Sequence, residues 1–132
     1  MSEHEVEIDE AEWPVVRITY PKTLGPDSIP NYVARLEALG RRGMAYWAIV
    51  DMRRMEVTKI KPSHRTDLAA AVDDLNRRFP DIVRCEAVIH ESPVVRMMHT
   101  AHLWVRKELP YPSKIFASEA DARAWIAELR NG

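Results

Sequence analysis

The residues able to do chemistry in this 132-residue chain fall into a few small groups. His99 and His102 lie three apart, with His90 and Glu91 shortly before them. Two histidines at that spacing on one helix can share a metal ion when a carboxylate completes the shell. The pattern is not HExxH, however, and no second acid stands at a matching position, so no metal is expected. Cys85 is the lone cysteine. A nucleophilic thiolate needs a base and exposure; the sequence indicates neither, and burial is the expectation. Asp51 closes the apolar run YWAIVD, where parallel sheets often place ligand sites. A single aspartate there is expected to organise a loop rather than act as acid or base. No catalytic residue and no cofactor are expected.

Downstream of Asp51 the chain turns basic. Arg53, Arg54, Lys59, Lys61 and Arg65 face only Glu56 as an acid, just before a predicted helix start, which itself favours anions. The stretch reads either as a solvated loop or as a docking surface for an acidic partner or a phosphate. Thr58 and Ser63 are its hydroxyls.

These residues must be held by a folded frame. WPVVRITY, residues 13–20, is β-branched and aromatic and predicts a strand. Residues 5–9 alternate charged and apolar side chains and predict an edge strand paired with it. A Pro- and Gly-containing loop follows. Ser28 is the expected cap of a helix over 29–41, with Pro30 in its first turn and Gly43 as its stop. YWAIVDM predicts a buried central strand. Ser63 is the expected cap of a second helix, ended by Pro80. CEAVIH, residues 85–90, predicts a strand, and Ser92-Pro93 starts a long third helix closed by Pro110 and Pro112. KIFAS predicts a last strand. Ser118 and Asp121 match a capping box before a final helix with the stripe Ala122, Trp125, Ile126 and Leu129.

Strand–helix alternation in this order predicts a single α/β domain, a four- or five-stranded mixed sheet with packed helices. The third helix is apolar on more than one stripe, through Val94, Val95, Met97, Met98, Ala101, Leu103, Trp104 and Val105. Core packing is the default for such a helix. A small apolar pocket beneath it, with Met98, His102 and Trp104 nearby, or a homodimer through residues 94–105, would also use it.

Bulk properties narrow the classes. The chain is long enough for one domain with a core. Hydrophobic residues at 46% and charged residues at 30% describe a globular protein. A net charge of -1 gives no pull toward nucleic acid. No apolar run is long enough to span a bilayer. The acidic N-terminus lacks a secretion signal, so a cytoplasmic location is expected. There is no GxGxxG, phosphate loop or GxSxG elbow, which argues against nucleotide and hydrolase classes.

From Trp13 to Leu129 the chain resembles the SpoIIAA-like STAS families, the anti-sigma-factor-antagonist domains and their relatives. The likeness rests on element order, on YWAIVDMRRM, on the alanine-rich helix after PSHRTD, and on the ending KIFASEADARAWIAEL. Residues 1–12 would be a short edge strand or arm outside that core. In those antagonists the strand and loop read D-L-S-x-x-D-S-S-G, and a serine there is phosphorylated by a partner kinase. Asp51 matches the first aspartate, Met52 the leucine, Glu56 the second acid and Thr58 the phosphoacceptor; Val57 and Lys59 depart from the serine and glycine. The resemblance implies a non-catalytic protein-interaction module of bacterial-type signalling, with a kinase, phosphatase or regulator as partner. Asp51, Arg53, Arg54, Lys59, Lys61 and Arg65 are then the partner-binding residues, and Thr58 or Ser63 the modifiable hydroxyl. The alternative is a protein that binds a small apolar or anionic ligand. A small hydrolase or metal-dependent enzyme using His99, His102 or Cys85 is a distant third.

Overall fold

The central strand of the sheet, β3 (Tyr46–Asp51), is the most apolar run of the chain, and it is covered on both faces. The computed structural model describes residues 4–105 and 109–132, with the backbone alone for 101–105. Around β3 lie β1 (Glu7–Asp9), β2 (Val15–Thr19), β4 (Val83–Ile89) and β5 (Ser113–Phe116). The five strands form one mixed sheet in chain order. β1 runs antiparallel to β2, and β2 to β5 are mutually parallel. The parallel crossovers carry α1 (Ser28–Arg41), α2 (Pro62–Arg78) and α3 (Pro93–Val105); α4 (Glu119–Asn131) follows β5.

Alternation along each strand divides the core in two. Val16, Ile18, Tyr46, Ala48, Val50 and Val88 point to the side covered by α1 and α2, where Tyr32, Leu39 and Leu68 meet them. Val15, Ile49, Cys85, Ala87 and Ile89 point to the other side, beneath Ala122 and Ile126 of α4. Fully enclosed side chains such as Ile49 and Val88 each contribute roughly 2 kcal/mol by burial. That exceeds the return from any exposed ion pair, so the two apolar layers set the fold.

Helix boundaries follow local chemistry in some places and distant partners in others. Ser118 caps α4 as expected, accepting from the Asp121 amide at 3.2 Å. Gly43, at φ +69, takes the left-handed conformation just past α1. Two expected caps differ. Ser28 lies inside α1 after Asp27; its hydroxyl accepts from the Gly25 amide at 2.7 Å and donates to the His4 carbonyl, which ties the N-terminal arm to the helix. Ser63 is likewise inside its helix, because Pro62 takes the first position of α2 and Lys61 stands at the cap. Proline favours that position through its fixed φ and missing N–H. α1 and α2 touch closely at Gly40, where an added Cβ would lie 2.7 Å from the Phe79 ring.

Candidate functional site

Two features adjoin the C-terminal edge of the parallel strands, one on each face of the sheet. The first is a charge network. Asp51 ends β3 with its side chain toward α4 and is almost fully buried. Its Oδ1 accepts from the Arg53 amide at 3.0 Å and from Arg53 Nε at 2.9 Å. Its Oδ2 accepts from Arg53 Nη2 at 2.8 Å and from Arg17 Nη2 at 2.7 Å. Burial pushes the Asp51 carboxyl up, but the Arg53 side chain and amide, followed by Arg17, outweigh it and hold the group at about 2. Arg17 also donates to Glu119 Oε1 at 2.8 Å. Glu119 accepts from Arg123 Nε at 2.9 Å, and Arg123 continues to both oxygens of Glu12 at 3.0 Å. Three acids and three arginines thus neutralise one another, joining the β1–β2 turn, β2, β3 and α4.

The second feature lies on the opposite face. α2 and α3 straddle Val50 and Val88 and leave a cavity of about 270 Å³. The loop after β3 forms one wall: Met52, Met55, Val57 and Ile60 point in, with Met55 and Ile60 buried. A short 3-10 turn, Val57–Lys59, shapes that wall. The apolar body is completed by Leu24, Leu68, Val95 and Met98. Polar groups enter from Tyr20, Tyr32, Glu86, His64, His99 and Tyr111. Tyr20 and Tyr32 meet edge to face at 5.6 Å, and burial pushes both hydroxyls well above the ordinary phenol range. His64 Nδ1 is enclosed with no hydrogen-bond partner among the described residues.

The expected site residues divide between these features and the outer surface. Asp51 and Arg53 are engaged with each other. Lys59 pairs with Glu56 at 2.8 Å, and Lys22 meets the same carboxylate at 3.0 Å. Arg54, Lys61 and Arg65 are exposed and form no ion pair among the described residues; Arg65 also borders the cavity. Thr58 and Ser63 are both exposed. Thr58 lies in the 3-10 turn, four residues before α2 begins. Met98 borders the cavity, while the side chains of His102 and Trp104 lie outside the described residues. Cys85 is fully buried, and burial pushes its thiol up to about 11. Among the described residues no group of three His, Cys, Asp or Glu side chains is placed to hold a metal ion. None of their helices is long and apolar enough to cross a membrane.

Glu86, His64, His99 and the tyrosines were not expected at the cavity. Glu86 carried a readable signal, a charge inside a central strand between Cys85 and Ala87. The tyrosines carried none, because three separate segments bring them together.

No family model matches the sequence, and no curated protein matches it. Among solved structures the chain is similar to an uncharacterized protein of the DUF3478 family with a SpoIIAA-like fold from Shewanella loihica PV-4. Identity is 14%, the TM-score is 0.64, and the match covers 91% of this chain and 90% of that one. Five strands in chain order, an antiparallel first strand and four helices give this chain the SpoIIAA-like fold.

Proposed function

We propose that this chain is a non-catalytic binding module of the STAS type, which takes a small amphipathic ligand in the cavity between α2 and α3 and reports its presence through the loop after β3. The observation that carries this reading is the cavity. Its 270 Å³ exceeds the roughly 150 Å³ that accommodates a benzene ring in an engineered apolar core. It also combines an apolar body with a few convergent polar groups, the usual make-up of a ligand site. The enclosed His64 nitrogen gains a partner when a polar ligand atom enters. The non-catalytic part of the reading is supported by Asp51, saturated by four donors, and by Cys85, kept as a thiol.

The loop has a second face, which supports a protein partner as well. Met52, Met55, Val57 and Ile60 line the cavity, while Arg54, Thr58, Lys61 and Ser63 face outward. An acidic partner would meet Arg53, Arg54, Lys59, Lys61 and Arg65, and phosphate on Thr58 or Ser63 would add negative charge within that basic surface. Asp51 holds the base of the loop in place. A cytoplasmic regulator with a kinase or phosphatase partner fits this arrangement. The exposed Val94 and Met97 of α3 would suit a homodimer through residues 94–105.

The test is native mass spectrometry of the protein purified from its own host, with Ala69→Phe as the cavity-filling control. Ala69 borders the cavity from α2. The expected result is an added small-molecule mass on the wild type that is absent from the variant, with the same circular dichroism in both. Wild-type protein that carries no such mass and takes up none from an added lipid and metabolite extract would reject the reading.

A further inference from the structure

A second space adjoins the large cavity on the side of α1. It measures about 60 Å³, and Ile18, Leu36, Ala48, Leu75 and Val83 give it an apolar lining to which Tyr46 and Asn76 add polar atoms. Tyr32, Val50, Val72, Glu86 and Tyr111 border both spaces, so one set of side chains walls the two. Val50 comes from β3 and Val72 from α2, which makes them floor and roof of the junction. Along α2 the spaces follow one another: Arg65 borders the large one, Val72 both, and Leu75 the inner one.

Size decides what the inner space takes. An apolar cavity that holds benzene measures roughly 150 Å³, whereas the inner space of about 60 Å³ is too small for a ring and admits the end of a slender chain. The path from Arg65 to Leu75 covers ten residues of α2, about 15 Å along its axis, which is more than an extended octanol spans. We infer that the ligand is an elongated amphiphile with an unbranched hydrocarbon tail, which passes between Val50 and Val72 into the inner space, and that this space sets the length of tail accepted. The inference rests on the ligand-binding reading above and adds the class of tail.

Calorimetric titration of the protein into hexanol, octanol, decanol and dodecanol tests it, with the wild type and with Ala48→Val, because Ala48 borders the inner space and not the large one. One hydroxyl head serves the whole series, so His64, Arg65, Glu86 and His99 of the large cavity meet the same group throughout. Wild-type affinity is expected to rise about fourfold per added methylene and to go on rising past octanol. In Ala48→Val the rise is expected to stop at a shorter chain, with hexanol binding unchanged. A wild-type rise that ends at octanol would overturn the inference and leave the cavity reading standing, as would identical chain-length profiles in the two proteins. Failure of all four alcohols to bind would remove both. Should Ala48→Val not fold, Val83→Ile takes its place, since Val83 also borders the inner space and not the large one.

Discussion

Arg17 and Asp51 meet across the β2–β3 pair at 2.7 Å, two positions out of register, on a face otherwise built from Val15, Ile49 and Ile89. The arginine reaches along the sheet toward its C-terminal edge, and there the same Nη2 atom touches Glu119 of α4. The pair therefore fastens the central strand to a helix more than a hundred residues removed from β2.

Asp51→Asn keeps the shape but loses the charge that three of its four hydrogen bonds serve. Two guanidinium groups then face each other with Glu119 as the nearer acid. We expect a loss of about 2 kcal/mol in urea unfolding. An unchanged midpoint would show that the pairing is worth no more than an exposed ion pair.

The pH dependence has a definite sign. Asp51 sits at about 2 in the fold, below its ordinary value near 3.9 once unfolded. The unfolded chain therefore binds the proton first, and Asp51 stabilises the fold fully above about pH 5, with the benefit lost as pH falls toward 2. Glu119 acts in the same direction, held down by Arg17 first and also by Arg123. Thermal midpoints should drop between about pH 5 and 2 and stay level above that range as far as these two groups are concerned. Asp51→Asn should flatten the acid limb, and an equal slope in both proteins would contradict this assignment.

Gly40→Ala sets two effects against each other. Alanine gains up to about 1 kcal/mol of helix propensity. Its methyl, however, meets the Phe79 ring at 2.7 to 2.8 Å, and overpacking of that kind costs about 1–3 kcal/mol. The net expectation is destabilisation by about 1 kcal/mol. Phe79→Leu in the same chain should reverse the sign of the Gly40→Ala effect, which a double-mutant cycle measures.

Cys85 should be silent to thiol reagents. At pH 8, a thiol held near 11 is ionised roughly a hundredfold less than an ordinary one, before burial is counted. Labelling with an aromatic disulfide should follow global opening and accelerate in step with urea. Fast labelling of the native protein would mean that α4 lifts from the sheet.

The frame was readable where a rule is local. Ser118 and Gly43 did what their types and neighbours dictate, and the strands followed from β-branched runs. Ser28 failed as a cap prediction because its partner is the His4 carbonyl, 24 positions away, which no window sees. Ser63 failed because Pro62 outranked it for the helix start. At the site, Asp51 read as a loop organiser from its place at a strand end. Its partners Arg17 and Glu119 are invisible until β2 and α4 are brought to β3. A pocket beneath the third helix was an alternative to core packing, named with Met98, His102 and Trp104; Met98 borders the cavity, and its polar end belongs to Glu86 and the tyrosines, which only the sheet order assembles.

That sheet order bears on how the chain is made. Because spatial order equals chain order, each strand emerging from the ribosome finds its neighbour already present, and none is left waiting for a later one. β1, only three residues long, leaves little edge for a foreign strand to join. α4 arrives only after all five strands, and with it comes Glu119. Until then Arg17 and Arg53 share Asp51 with an excess of positive charge, so the network is balanced only once α4 is made. Pulse-labelled nascent chains should accordingly protect the β2–β3 amides before Glu119 has been translated and the Ile49 face only afterwards.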